Sequence, residues 1–156
     1  VGARRLSRLL LVDAALALGV PVLVSEQYPK GLGPTVASIR ERLGDGFAPV
    51  EKLAFSCGRS EEFKAALERT GRQDVILCGV EAHVCVLQTM LDLDRAGYRV
   101  FVAADAVASR RDFDRDMALA LMREAGATIG TTEMFAFQLL ERAGTDEFKA
   151  ISKIVR

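Results

Sequence analysis

Cys85 stands where a buried apolar strand turns a corner into a helix, in the segment GVEAHVCVLQTMLDLDRAG from Gly79 to Gly97. A thiolate at that point feels the positive end of the helix dipole and the unpaired N–H groups of the first turn. Such placement lowers a cysteine pKa from roughly 8.5 toward or below neutrality, more so with a cation nearby. The same N–H groups can cradle an oxyanion once the thiolate has added to a carbonyl. Strand, turn and helix in this order make the thiol counterpart of a nucleophile elbow. The competing reading is bland: cysteine is a small residue that often fills helix–sheet interfaces.

Other residues offer less chemistry. His83, at the corner before Cys85, is the only histidine, so a histidine-based triad or a multi-histidine metal site is impossible within this chain. It reads as a turn residue rather than a proton shuttle. Glu26, at the end of a strand, is either a substrate contact or a solvated carboxylate. Gly31 and Gly33 do not make a phosphate loop, because Lys30 precedes both and the required spacing is absent. Cys78 is expected mid-strand as inert filler, and Cys57 in a loop without a role. Three cysteines with no CxxC pair argue against disulfides and structural zinc and point to a reducing cytoplasm.

The elements that must position Cys85 follow from hydrophobic periodicity. Leu6 to Leu18 spaces apolar residues as a helix, stopped by Gly19. Val20 to Val24 is a continuous apolar run, as expected for a strand covered on both faces. A loop over Tyr28–Thr35 leads into a poorly defined stretch reaching about Cys57. Ser60 caps a helix with Glu61 and Glu62 in its first turn and Gly71 after its end. Asp74–Cys78 is a strand, His83–Ala96 a helix, Arg99–Ala103 a strand and Asp112–Ala125 a helix. A short strand at Thr128–Gly130 precedes a helix from Glu133 to Ala143. In the closing FKAISKIV, residues Phe148, Ile151, Ile154 and Val155 form one apolar stripe for docking.

Strands alternating with helices predict right-handed βαβ units in one α/β domain over residues 1–156. The expected architecture is three-layered and Rossmann-like, an open parallel sheet with helices on both faces. Reactive groups then gather at the carboxyl ends of the strands. Ser25–Gln27, Gly79–Glu81, Asp105 and Thr131–Thr132 fall on that edge, with Cys85. The opening helix lacks a strand before it, so a first strand upstream of Val1 is expected.

Composition narrows the class. Of 156 residues, 50% are hydrophobic, enough for a sizeable core. Lys plus Arg equals Asp plus Glu at 21 each, with no run of like charge, so neither nucleic acid nor an anionic membrane is an expected partner. The longest apolar run, LLLVDAALALGVPVLV, is interrupted by Asp13 and Gly19 and reads as helix then strand, not a membrane span.

Gly79-Val-Glu-Ala-His-Val-Cys85 resembles the nucleophile motif of the isochorismatase-like cysteine hydrolases, with a cysteine six positions after a glycine. VPVLVSEQYPKGLGPT, EKLAFS, LDRAGYRVFVAADAVASR, MREAGA and FKAISKIV are also similar to this family, in particular to its isochorismatase-domain subgroup, so the resemblance covers essentially the whole chain. It implies that Cys85 is the nucleophile. Lys52 in Lys52-Leu-Ala-Phe55 would stabilise the thiolate and developing charge, with Phe55 near the substrate; from composition alone Lys52 is an ordinary surface lysine. The resemblance further implies a cis peptide at Val80–Glu81, with the N–H groups of Glu81 and Cys85 forming an oxyanion hole.

The family's third catalytic residue is an aspartate closing the first strand. Asp13 is no match, because Ala14–Leu18 runs straight into Gly19 and the next strand; it is expected on a helix, and the aspartate upstream of Val1. Relatives that bind a metal use Asp and His after the second strand. Glu26-Gln-Tyr-Pro offers no histidine there, so no metal and no cofactor is expected. The implied activity is hydrolysis of an amide-type C–N bond in a small molecule through a cysteine acyl-enzyme, by a homodimer or homotetramer. The alternative is a catalytically inactive scaffold or thiol redox sensor on the same fold.

Overall fold

The computed structural model describes residues 2–155. Its elements, in chain order, are α1 (Gly2–Ala17), β1 (Ser25–Gln27), α2 (Pro29–Leu32), α3 (Ala37–Leu43), β2 (Val50–Lys52), α4 (Glu61–Arg69), β3 (Asp74–Val80), α5 (Leu87–Arg95), β4 (Arg99–Ala108), α6 (Asp112–Glu124), β5 (Thr128–Gly130), α7 (Thr132–Leu140) and α8 (Asp146–Ile154). All strand pairs are parallel: β1 beside β2, and separately β3–β4–β5.

Alternation along β4 sorts its side chains between two layers of helices. Val100 and Val102 join Phe63, Leu67, Met90, Leu93, Ala118 and Met122 from α4, α5 and α6. Phe101 and Ala103 join Leu11 of α1 and Phe135 of α7, where the Phe101 and Phe135 rings meet edge to face at 5.7 Å. Gly130 leaves the space Phe135 needs, since a Cβ there would lie 2.7 Å from the ring. The expected three-layer α/β architecture is therefore present. Met90 and Met122 are fully buried, and each contributes about 1.5–3 kcal/mol by burial.

Several boundaries differ from the sequence reading. The apolar run Val20–Val24 is not a paired strand; the ladder covers Ser25–Gln27 instead, with Val24 contributing one carbonyl to Val50 N–H at 2.9 Å. Among the described residues β1 has a ladder partner on one side only, and that partner is three residues long. The poorly defined stretch contains α3 and β2. β3 and β4 run further than expected, to Val80 and Ala108. Their register slips on the way: Leu77 pairs with Val102, but Gly79 pairs with Val107. α7 stops at Leu140, where Glu141 takes a positive φ of 62°.

The C-terminal stripe docks within the chain. Ile151 is fully buried against Ala14, Ala136 and Leu140, with Phe148, Ile154 and Val155 packed around it. Its apolar face is used by α1 and α7.

Candidate active site

Gln27 and Lys52 are the last residues of β1 and β2 and lie opposite each other in the ladder. Lys52 Nζ donates to Gln27 Oε1 at 2.6 Å, to the Phe55 carbonyl at 2.8 Å and to the Ala54 carbonyl at 3.1 Å. An ammonium has three protons, so all three have acceptors, and every acceptor is neutral. Lys52 is buried, at 6% exposure, which corrects the surface-lysine expectation: the carbonyls of the segment after β2 turn inward and solvate the charge. Gln27 Nε2 donates to the Leu53 carbonyl at 2.7 Å. That bond fixes the amide so that its oxygen faces Lys52.

Cys85 meets the same oxygen. Its Sγ lies 3.9 Å from Gln27 Oε1, at the reach of a weak thiol hydrogen bond. The helix expected from His83 begins as a single π-turn, Ala82–Val86, with Val86 N–H bonded to the Glu81 carbonyl at 3.2 Å, before α5 continues. Isolated π-turns concentrate at functional sites. The peptide Val80–Glu81 is cis, and Gly79 before it has a φ of 126°, a conformation suited to glycine.

The remaining expected residues scatter around this cluster. Phe55 lends its carbonyl to Lys52 while its side chain stands half exposed at 53%. Glu26 is no solvated carboxylate: it is 7% exposed and accepts from Thr35 N–H at 2.7 Å, tying down the loop that carries α2. Asp13 sits on α1 and binds Arg42 Nε at 2.9 Å, in line with a helix role. Glu81 points its carboxylate to the Arg110 N–H at 3.0 Å. His83 Nδ1 lies 2.8 Å from Ser109 Oγ and 3.7 Å from Glu81 Oε2. With Arg110, Arg111 and Asp114 it lines a depression of about 210 Å³. Arg111 holds Asp114 through two nitrogens, which pushes the Asp114 carboxyl below its ordinary range.

Two residues without an assigned role support the Lys52 segment. Cys57 N–H donates to Thr89 Oγ1 of α5 at 2.9 Å, and Cys57 Sγ lies 3.2 Å from Ser25 Oγ. Asp92 of α5 binds Arg59 at 2.9 Å and Arg95 at 3.2 Å; the Ser56 hydroxyl, then the arginines, lower its pKa. Cys78 is a correction of another kind. It is exposed along the edge of β3 that has no ladder partner among the described residues, not filler.

Sequence alone puts Gln27 at a strand end and gives it no role. The signal was its position opposite Lys52, visible only once β2 is recognised as a strand.

Residues 9–134 match the Isochorismatase domain family. The chain belongs to that family. It is 45% identical over 151 residues to the secreted isochorismatase effector Isc1 of Phytophthora sojae, covering 94% of this chain and 71% of the relative. The structure of the MAR1 ribonuclease of Caenorhabditis elegans superposes with a TM-score of 0.92 at 39% identity, covering 99% of this chain and 79% of that one. YcaC of Pseudomonas aeruginosa, solved with hexane-2,5-diol and covalent acrylamide, superposes with a TM-score of 0.90 at 25% identity over 98% of this chain and 77% of that one. Membership of this family supports a hydrolase role. No described helix is long and apolar enough to cross a membrane.

Proposed function

We propose that this chain is a cysteine-dependent hydrolase of a small-molecule amide-type bond. The observation that carries the reading is the single oxygen, Gln27 Oε1, shared by the Lys52 ammonium and the Cys85 thiol. The Lys52 ammonium, placed on that shared oxygen, can offset negative charge that develops during attack. The thiolate adds to the substrate carbonyl carbon, and the oxyanion is held by the Glu81 and Cys85 N–H groups. Collapse breaks the C–N bond, and the amine departs after taking up a proton from solvent water. Water then cleaves the thioester and restores the thiol. Phe55, half exposed beside the Lys52 segment, provides an apolar contact for the substrate, and Glu26 shapes the neighbouring loop through Thr35. The covalent acrylamide in YcaC supports the reading, since acrylamide is an electrophile that thiolates attack. A homodimer or homotetramer in a reducing cytoplasm, with neither metal nor cofactor, completes the proposal.

A second reading, a scaffold or thiol redox sensor, has one observation in its favour: among the described residues no carboxylate hydrogen-bonds to Cys85 or Lys52. The test is ammonia or amine release from a panel of small amides, with RNA included because of the C. elegans relative's name, beside trapping of an acyl adduct on Cys85 by mass. Turnover lost in Cys85→Ser with an acyl adduct in the unaltered chain supports the hydrolase. No adduct and no release, with peroxide oxidising Cys85 reversibly, would leave the sensor.

A further inference from the structure

The two halves of the site stand on different sheets. Gln27 and Lys52 end the β1–β2 pair, whereas Cys85 follows the end of β3, and among the described residues no ladder joins the two sheets. Side chains of α5 join them instead. Thr89, one turn beyond Cys85, accepts from the Cys57 N–H at 2.9 Å. Cys57 in turn places its Sγ 3.2 Å from Ser25 Oγ on β1. Asp92, three residues beyond Thr89, is bonded to the Ser56 hydroxyl and to Arg59. Ser56 Oγ also accepts from the Gly58 N–H at 3.1 Å. The fit of this segment on α5 is close, since a Cβ on Gly58 would lie 2.9 Å from the Asp92 Cβ.

The segment fastened in this way is the one that solvates Lys52. The Phe55 carbonyl, which accepts from Nζ at 2.8 Å, belongs to the same peptide unit as the Ser56 nitrogen. A shift of Ser56 therefore moves that carbonyl, and the ammonium follows its acceptors. Ser56 and Thr89 are both buried, so water cannot readily replace either bond.

We propose that Thr89 and Ser56 are positioning residues that fasten the carbonyls around the Lys52 ammonium to the helix carrying Cys85, and so set the spacing between cation and thiol. The proposal rests on the hydrolase reading. Neither hydroxyl reaches the reacting atoms; each acts through Lys52. A misplacement of about 1 Å can cost roughly a hundredfold in rate.

Steady-state kinetics on an amide that the unaltered chain turns over provide the test. Thr89→Val keeps the side-chain volume and removes the acceptor; it should lower kcat by about tenfold with KM little changed. Thr89→Ser keeps the oxygen and should recover most of that loss. Gly58→Ala removes no side-chain bond but forces the segment away from Asp92, and it should lower kcat as well. The combination of Lys52→Met with Thr89→Val separates positioning from general damage. If Thr89 acts through Lys52, the double variant is no slower than Lys52→Met alone, whereas independent lesions multiply. An unchanged kcat in Thr89→Val, a Thr89→Ser no faster than Thr89→Val, or multiplying losses in the double variant overturns the proposal and leaves the hydrolase reading standing. A chain that turns over no amide overturns both.

Discussion

Cys85 hangs from the end of a seven-residue strand beside one of ten residues, over a core in which Met90, Met122, Val102 and Val107 are fully buried. Lys52 hangs from strands of three residues each. The first side of the site is held by apolar packing and a long backbone ladder. The second is held by directed polar bonds: Gln27 to Leu53, Lys52 to two carbonyls, Cys57 to Thr89, Glu26 to Thr35. Packing gives a nucleophile a fixed stage. Polar ties give a buried cation the acceptors it needs, because burying a charge without partners is costly. The difference implies a stiff thiol side and a more easily opened cation side.

The contrast should be visible in mutants. Cys85→Ser should reduce amide turnover by roughly a thousandfold or more, with the thermal midpoint nearly unchanged; near-normal turnover would remove the cysteine from the mechanism. Lys52→Met should cost roughly a hundredfold in turnover; turnover left near normal would separate Lys52 from the chemistry. Met122→Ala, in the packed half, should destabilise the chain by about 2–5 kcal/mol in denaturant unfolding. Amides of β3 and β4 should then exchange only through global opening, and those of β1 and β2 through cheaper local opening.

The smallest effect concerns pH. Asp92 has a lowered pKa, so its contribution is intact above the unfolded value near 3.9 and fades as pH falls through the folded one. Its arginine partners are largely exposed, at 61% and 70%, so Asp92→Asn should cost less than about 1 kcal/mol, seen only as a shallower acid limb.

The packed half was the legible one. β3, β4, α5 and α6 announce themselves by apolar alternation or helical spacing, and Ser60 caps α4 as expected, accepting from Phe63 N–H. Cys85 was legible because a strand and a helix with clear periodicity bracket it. The other half was not. β2 is three residues long and its middle residue, Glu51, is exposed, too short for a period to show. Whether Lys52 is buried depends on carbonyls of Ala54 and Phe55, and backbone orientation leaves no trace in residue type. Val20–Val24 looked more like a strand than Ser25–Gln27 because hydrophobicity was visible and ladder partners were not. The π-turn before α5 is a matter of one hydrogen-bond step, which periodicity cannot resolve.

Between Leu77 and Gly79, β3 advances two residues while β4 advances five, from Val102 to Val107. The surplus works as a length gauge. It lets the lower ladder keep time with the core while the upper ends of both strands are indexed separately, one leading to the turn that carries Cys85 and the other to Ser109, Arg110 and Arg111. A change of length within residues 103–106 would shift Ser109, Arg110 and Arg111, and with them the depression shared with His83 and Asp114, but it would also disturb the buried Ala103 and Ala106 and the Asp105 carboxylate that accepts from Thr132 at the start of α7. The same few residues thus join the rim of the depression to the anchoring of a helix on the far layer.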